Sequence, residues 1–313
     1  SDVNAKLLTD PGGRHAGKPI KCLALKGGFH GRTLRPARFS DSTLATYKAH
    51  MATFRDGEDV LTVEPNDVEG LKALYAQAEA EGWFIEAFFM EPVMGEGNPG
   101  LGVTPAFYDV ARELTRSHGS ILLMDSIQAG LRAHGCLSIV DYPGFEHSNA
   151  PDLETYSKAL NGGQYPLSVL AMTDAAAKLY RKGIYGNTMT GAPRAMDIGV
   201  ATLESITPEI RENIRARGAE FVQLLEALSA EMDGRITKVL GTGLLVQCQL
   251  DAKRYLSYGA NSTEEYLRER GIGVIHGGKN ALRFTPHFRV TSEELKLIVE
   301  AIRDALLNGP TLS

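Results

Sequence analysis

The chain has 313 residues, of which 43% are hydrophobic and 23% charged, with a formal net charge of −5; this composition is typical of a globular protein with room for a large domain and a smaller one. So mild an acidic excess gives no reason to expect nucleic acid or an anionic membrane as partner. No apolar run approaches the ~20 residues of a membrane span, and the opening SDVNAKLLTD has neither the basic nor the apolar region of a signal peptide.

Apolar runs alternate with helical patterns in the first part of the chain. Strands are predicted at 21–25, 60–63, 84–90, 121–126, 153–157 and 167–172. Helices are predicted at 67–81 and 105–118, and the second begins with Thr104 as N-cap and Pro105 in its first turn. Short buried strands between helices predict a mainly parallel α/β sheet in a large domain over residues 1–205.

The pattern changes after residue 205. A long amphipathic helix is predicted over 208–233, followed by two short strands near 236–249 and 280–285 and by helices over 263–270 and 291–307. Thr291 opens the last helix as a T-x-x-E capping box. Residues 206–313 are therefore predicted to form a smaller C-terminal α+β domain. Because the chain enters a helix within its first few residues, we expect an N-terminal part of the large domain to lie upstream.

The cysteines, Cys22, Cys136 and Cys248, are odd in number, widely spaced and outside any CxxC pair. This usage favours the reducing cytoplasm, with each thiol buried as a packing residue. The eight histidines show no metal-ligand spacing, and no metal is predicted.

A glycine-rich loop, with Gly95, Gly97 and Gly100 in GxGxxG spacing, follows the strand at 84–90. A dinucleotide site would need a helix to begin at this loop. Pro99 interrupts the loop and the next helix begins only near Thr104, so this lone motif is weak evidence for NAD.

Asp125 and Lys158 follow two of the predicted strands. Ligands of open α/β sheets bind outside the carboxyl ends of the strands. Taken singly, each residue is more simply explained as a loop cap or a solvated lysine. Together they are the pair that a pyridoxal cofactor requires: an amine for the imine, and a carboxylate that keeps the ring nitrogen protonated. A pocket around Lys158 would lower its pKa and make the amine a nucleophile.

Six segments in one order carry a more specific resemblance. They are GFHGRT at 28–33, EPVMGEGN at 91–98, LLMDSIQAG at 122–130, PDLETYSKALNGGQYPLS at 151–168, YGNTMTGAP at 185–193 and ALRFTPHFRVTSEEL at 281–295. The sequence resembles the class III pyridoxal-phosphate aminotransferases, a branch of the fold type I family. The resemblance implies a mainly parallel, seven-stranded-type sheet with flanking helices, and pyridoxal 5′-phosphate as cofactor.

The resemblance also implies roles for single residues at the cofactor. Lys158 and Asp125 would be catalytic. Phe29 would stack on the pyridine ring, His30 in the same segment would also bind the cofactor, and Gln128 would reach the phenolic oxygen. Thr188 would bind the phosphate of the neighbouring subunit's cofactor, which implies a homodimer with shared active sites.

The substrate and phosphate contacts are implied in the same way. Arg283 would bind a substrate carboxylate and Glu96 would line the pocket. Ser1 and Asn4 would be remnants of a phosphate-binding helix start, with about a hundred residues of such a family missing before them. Taken alone, Arg283 is as well explained by a surface arginine at a strand edge, and Glu96 by a solvated loop acid.

Some segments depart from the family pattern. Asp125-Ser126 stands where Asp-Glu is usual. GLRAHG at 130–135 stands where an aromatic or arginine-rich continuation often follows, and TMTGAP replaces a more usual Gly-Gly-Asn-Pro ending. The predicted function is transfer of an amino group from an amino acid or ω-amine to a 2-oxo acid. Racemase, aminomutase or decarboxylase chemistry, or a truncated non-catalytic binding protein, remains an alternative. The donor, acceptor, stereochemistry and pathway are left open.

Overall fold

A computed structural model describes residues 1–54 and 59–312 of the chain. The chain forms two compact units. The first consists of residues 1–92, 103–128 and 137–203, and the second of residues 93–102, 129–136 and 204–313. The assignment of 1–205 to cofactor binding and 206–313 to a small domain stays a prediction about function.

The first unit is built on a six-stranded sheet. Its strands are β1 (Ile20–Leu25), β2 (Val60–Val63), β3 (Phe84–Met90), β4 (Ile121–Asp125), β5 (Leu153–Tyr156) and β6 (Val169–Met172). The order is β2-β1-β3-β4-β5-β6, with every pair parallel except β5–β6. The predicted mainly parallel α/β sheet is confirmed, although the described residues supply six strands where the resemblance implied seven.

Among the described residues, seven helices accompany this sheet. They are α1 (Asp2–Thr9), α2 (Leu34–Arg38), α3 (Asp41–His50), α4 (Val68–Glu81), α5 (Pro105–His118), α6 (Asp174–Ala177) and α7 (Pro193–Ser205). The predicted cap of α5 is confirmed, because the Thr104 side chain accepts a hydrogen bond from the backbone N–H of Phe107. Helix α3 was not predicted; it buries none of its residues and so has no apolar stripe to recognise.

The core of this unit surrounds the central strands. All seven residues of β3 are buried, and the fully buried aromatic side chains include Phe84, Phe88, Phe107 and Tyr108. Each such side chain contributes roughly 1.5–3 kcal/mol by leaving water. The ends of β3 and β4 are thus held on a rigid support.

A histidine cluster closes the amino-end side of this sheet. His118, at the end of α5, accepts the backbone N–H of Ile85 on Nε2 (3.1 Å), and its Nδ1 lies 2.8 Å from Glu79 Oε1. His15 lies 2.7 Å from the carbonyl oxygen of His118 and stacks on Phe84. Burial lowers the pKa of His118, although Glu79 acts in the opposite direction. We give more weight to burial because Nε2 already accepts a backbone donor, which a protonated ring could not do.

This geometry predicts a loss of stability in acid. The folded-state pKa of His118 lies below the ordinary value of about 6.5. The unfolded chain therefore binds more protons, and the free energy of unfolding falls as the pH drops below about 6.5. Urea unfolding from pH 7.5 to 5 should show this slope in the wild type and a smaller one in His118→Gln. A matched exposed variant, His50→Gln, should keep the wild-type slope; equal slopes in all three proteins would contradict the prediction.

As far as residue 312, the second unit contains a four-stranded antiparallel sheet and three helices. These elements are α8 (Pro208–Glu231), β7 (Ile236–Thr242), β8 (Leu245–Leu250), α9 (Thr263–Glu269), β9 (Ile275–Gly277), β10 (Ala281–Phe284) and α10 (Ser292–Asn308). The strand order is β7-β8-β10-β9. The capping box at Thr291 is confirmed. The expectation of two strands was wrong, because the 236–249 segment folds back as a hairpin and the three-residue β9 is too short to show a pattern.

Gly243 forms the turn of that hairpin. Its φ is +54°, and a Cβ there would lie 1.7 Å from the carbonyl oxygen of Ala133. The backbone of residues 129–136 can therefore lie this close to the turn only because residue 243 has no side chain. None of the helices in the described part of the chain is both long and apolar enough to cross a bilayer.

Candidate active site

Asp125 and Lys158 lie at the same edge of the large sheet. Asp125 is the last residue of β4 and pairs in register with Thr155 of the parallel strand β5. Lys158 comes three residues after Thr155, at the start of a 3-10 turn over Lys158–Asn161. Both residues therefore follow the carboxyl ends of neighbouring strands, where ligands of open α/β sheets bind.

The local conformation of Lys158 is unusual. Its φ is +45°, a left-handed value that costs a non-glycine residue about 1–2 kcal/mol. Backbone strain of this kind tends to occur at functional sites. The expectation of a buried lysine was wrong for this chain, since the residue is exposed. Of the four residues in the turn that carries it, Leu160 is the buried one.

Asp125 is buried, with 6% of its surface exposed, and its carboxylate accepts three hydrogen bonds. Oδ2 lies 2.9 Å from His30 Nδ1, while Oδ1 accepts from the Ile127 backbone N–H and the Thr155 hydroxyl, each at 3.2 Å. Two carboxylate oxygens offer about four acceptor positions. The group can therefore accept one more donor, such as the N–H of a protonated ring.

His30 is held on both sides. Its backbone N–H donates to Ser40 Oγ at 2.8 Å, and its ring lies 5.7 Å from that of Phe89. Nε2 is buried without a hydrogen-bond partner in the parts of the chain described here. A Cβ at Gly28 would lie 3.2 Å from this atom, so glycine leaves room for the ring. With Nδ1 as donor, His30 orients the carboxylate of Asp125.

Phe29 has a half-buried ring beside this pair. Its backbone N–H donates to Glu91 Oε1 at 2.9 Å, and the guanidinium of Arg32 lies 5.3 Å from the ring centroid. Glu91 follows the end of β3, so Phe29 is tied to the same edge of the sheet as Asp125. The stacking role of Phe29 stays a prediction.

A buried carboxylate that sequence reasoning missed stabilises the segment after Asp125. Glu154 of β5 accepts from Ser126 Oγ and Ser138 Oγ, both at 2.6 Å, and from the backbone N–H of Ile139 at 3.2 Å. Burial raises the pKa of Glu154 and these hydrogen bonds oppose the rise. Where the family usually has an acid after its aspartate, this chain has Ser126 paired to an acid from the next strand. The signal in the sequence was a glutamate inside a predicted strand, LETYS at 153–157.

Gln128 lies near the start of the turn that follows Asp125 and is half-buried. Thr188 lies in the segment 182–191, in which every residue is exposed. The structure therefore places Gln128 at the edge of the sheet that carries Asp125, and it gives Thr188 no local enclosure. Their predicted contacts to a cofactor stay predictions.

Ser1 and Asn4 hydrogen-bond within the first unit. Ser1 Oγ donates to Glu86 Oε1 at 3.2 Å, and Asn4 Nδ2 donates to the carbonyl oxygen of Gly119 at 2.9 Å. Gly119 precedes β4, at the edge of the sheet opposite Asp125. The side chain of Asn4 is thus engaged away from that edge, and the phosphate role of both residues stays a prediction.

Arg283 and Glu96 meet in the second unit. Arg283 lies on β10 between β8 and β9, with 7% of its surface exposed, so it is not a surface arginine at a strand edge. Its guanidinium lies 3.0 Å from Glu96 Oε1 and also donates to the carbonyl oxygen of Gly95. A buried guanidinium beside a partly exposed acid is suited to exchanging that acid for another carboxylate.

The glycine-rich loop is not the start of a helix. Helix α5 begins at Pro105, after the loop, as predicted, so backbone N–H groups of a helix end are not directed at it. Within residues 1–54 and 59–312, no three His, Cys, Asp or Glu side chains are grouped so that they could hold a metal ion.

The fold matches that of known aminotransferases. The chain superposes on ornithine aminotransferase from Toxoplasma gondii with a TM-score of 0.79 at 24% identity, covering 98% of this chain and 69% of that one. N-acetylornithine aminotransferase from Stenotrophomonas maltophilia gives a TM-score of 0.70 at 22% identity, covering 97% and 70%. The fold is therefore that of the pyridoxal-phosphate-dependent aminotransferases.

Sequence comparison gives the family. The profile of class-III aminotransferases matches residues 7–306, and the chain belongs to this pyridoxal-phosphate-dependent family. It is 31% identical over 278 residues to succinylornithine transaminase of Citrobacter koseri, covering 87% of this chain and 63% of the relative. It is 29% identical over 287 residues to acetylornithine/succinyldiaminopimelate aminotransferase of Yersinia pestis, covering 90% and 65%. The chain thus spans just under two-thirds of the length of these relatives.

Proposed function

We propose that this protein is a pyridoxal-phosphate-dependent aminotransferase, which moves an amino group from an amino acid or ω-amine to a 2-oxo acid. The observation that carries the proposal is the buried carboxylate of Asp125, oriented by His30 and adjacent in the sheet to the segment of Lys158. Membership of the class-III family supports it.

The residues at this edge fit the cofactor. When bound, pyridoxal phosphate supplies an electron sink for the substrate carbon. Asp125, already an acceptor of three donors, would hold a proton on the ring nitrogen. Phe29 would cover one face of the ring and Gln128 would donate to the phenolic oxygen. Thr188 would bind the phosphate. The same role for Ser1 and Asn4 would require them to leave their present hydrogen bonds to Glu86 and Gly119.

Lys158 would have two tasks. Its amine would hold the resting cofactor through an imine bond. This covalent link would distinguish the site from one that binds the cofactor non-specifically. Once released, Nζ would move the substrate proton as general base, which requires a neutral amine at that moment. Since the described chain leaves Lys158 exposed, we propose that the walls lowering its pKa come from chain outside these residues.

Arg283 would bind the substrate carboxylate, with Glu96 as its partner when no carboxylate is present. Glu96→Gln should then lower the KM for a 2-oxo acid severalfold, because it replaces a charged competitor for the guanidinium by a neutral amide. The KM for an acceptor aldehyde without a carboxylate should not change. Steady-state kinetics with both acceptors tests this, and a KM for the 2-oxo acid equal to that of the wild type would count against the competition.

The protein is proposed to act as a homodimer with shared sites. Support comes from exposed apolar side chains in the segment that carries Thr188 and on α7, which are Ile184, Tyr185, Met189, Met196, Val200 and Leu203. Apolar patches of this kind are typical of subunit interfaces. Mixing a Lys158 variant with a Thr188 variant should restore some wild-type sites only if the sites are shared.

The amino donor is proposed to be an ω-amino acid of the acylornithine type, because the two relatives named above are transaminases of succinylornithine and of acetylornithine or succinyldiaminopimelate. The cytoplasm is the proposed compartment. In support, all three cysteines are buried and free.

Titration of the protein with pyridoxal phosphate tests the proposal. We expect a visible absorption band from the lysine imine, bleached by acetylornithine and restored by 2-oxoglutarate. Conversion of the amino acid with the band retained and with no need for a 2-oxo acid would favour decarboxylase or racemase chemistry, because those products leave with their amino group and the lysine imine re-forms. Absence of any band would contradict the proposed function.

A further inference from the structure

We infer that Gln247 is a second substrate-binding residue at the Arg283 site, where its side-chain amide donates a hydrogen bond to the same carboxylate that Arg283 binds. This inference rests on the proposed function and deepens it. The starting observation is a fully buried amide: Gln247 lies in the middle of β8 with 1% of its surface exposed, and its Oε1 has no hydrogen-bond partner among the residues described.

Gln247 is the cross-strand neighbour of Arg283. The two residues are paired in register between the antiparallel strands β8 and β10. Directly opposed residues of such a pair project from the same face, with Cβ atoms about 4.5–5.5 Å apart. The amide and the guanidinium thus start from adjacent points on one face of the sheet.

The ends of both side chains reach the same pair of glycines. A Cβ at Gly278 would lie 3.1 Å from Gln247 Oε1, and a Cβ at Gly277 would lie 3.6 Å from Cδ of Arg283 and 3.3 Å from the carbonyl oxygen of Glu96. The backbone N–H of Gly278 donates to that same Glu96 oxygen. The backbone of Gly277 and Gly278, which carries no side chains, therefore lies beside all three residues: Arg283, Glu96 and Gln247.

An unsatisfied buried amide has an energetic cost that folding alone does not explain. Leaving a buried acceptor without a donor costs about 1–3 kcal/mol, whereas an apolar side chain of the same size would cost nothing in hydrogen bonds. Rotation of the amide by 180° exchanges its oxygen and nitrogen. In that orientation Nε2–H faces the position now occupied by Oε1 and needs an acceptor there.

A substrate carboxylate supplies this acceptor. Its two oxygens can accept from more donors than one guanidinium edge provides. With Glu96 displaced, one oxygen would remain on Arg283 while the other accepts from Gln247. The site would then favour a planar carboxylate over a single-oxygen anion or a neutral group.

The test measures binding directly, so that it does not depend on turnover. Glutarate, a dicarboxylate without a reactive carbonyl, is titrated calorimetrically into the full-length protein loaded with pyridoxal phosphate. Gln247→Met keeps the volume and removes the amide, and we expect it to weaken glutarate binding about tenfold, the value of one hydrogen bond to a charged group. Gln247→Glu should weaken binding further by charge repulsion.

Gln249→Met is the matched control, because Gln249 lies two residues along β8 on the same face, opposite Ala281 instead of Arg283. It should bind glutarate as the wild type does. Equal affinities of the wild type and Gln247→Met, or no glutarate binding by the wild type, would overturn the inference. Failure of the proposed function would instead leave glutarate binding intact and show no exchange of amino groups, so the two failures are distinguishable.

Discussion

Lys158→Ala is expected to abolish the covalent attachment of pyridoxal phosphate and to reduce amino-group transfer by at least about a thousandfold. The first effect follows because alanine has no amine for the imine, and the second because a positioned general base contributes about 10²–10⁴ in rate. Borohydride reduction followed by intact-mass measurement reads the attachment without any turnover. The wild type should gain the mass of one reduced cofactor and the variant should gain none.

The fold should survive this change. Lys158 is exposed, and substitutions at exposed positions usually alter stability by no more than about 0.5 kcal/mol. Lys178→Ala is a suitable control, since Lys178 is an exposed lysine of the same unit at the end of α6. It should retain both the adduct and the activity. A borohydride-stable adduct in Lys158→Ala with wild-type yield would remove Lys158 from the mechanism and with it the proposed function.

The large sheet could be predicted from the sequence because its strands are short, buried and regularly separated by helices. The strand at 84–90, for example, is buried at every position, and such continuous apolar runs are typical of parallel strands with helices on both faces. The small sheet was harder to predict. Its hairpin turns at Gly243 and Leu244, without the Asn-Gly or Asp-Gly signal, so two strands were interpreted as one.

The residues of the site also fall into those that the sequence could reveal and those that it could not. Asp125 and Lys158 could be found because the residues follow strands, and strand ends are visible in a sequence. Glu154 and Gln247 could not, because both are polar residues inside strands. Their importance depends on what lies opposite them across the sheet: Ser126 at the end of the neighbouring strand for Glu154, and Arg283 for Gln247. Register is set by pairing between distant segments and is not readable from either strand alone.

The exposure of Lys158 also has a physical reason that the sequence could not give. A lysine after a buried strand, beside glycines, was expected to lie in a pocket, but pockets are formed by several segments. In the turn Lys158–Asn161 of the described chain, Leu160 is buried while Lys158 is exposed. Enclosure of the amine therefore depends on chain that is not adjacent in sequence.

Asp125→Asn is expected to reduce turnover by about 10- to 1000-fold while leaving the covalent attachment at Lys158 intact. Asparagine keeps the shape, and its single oxygen can still accept from either His30 or Thr155, but it carries no charge. An adjacent carboxylate raises the pKa of a basic nitrogen by about 1–3 units, and each unit lost corresponds to about 1.4 kcal/mol less stabilisation of the protonated ring. Turnover should fall accordingly.

The pH titration of the bound cofactor separates this effect from a general loss of structure. In the Asp125→Asn protein the spectral transition of the ring nitrogen should shift to lower pH, since the protonated form has lost its counter-charge. Thr155→Val is the matched control: it removes one hydrogen bond to Oδ1 at 3.2 Å and keeps the charge, so its titration should stay close to that of the wild type. If Asp125→Asn titrates as the wild type does, the carboxylate does not face the ring nitrogen, and His30 then orients Asp125 for some other purpose.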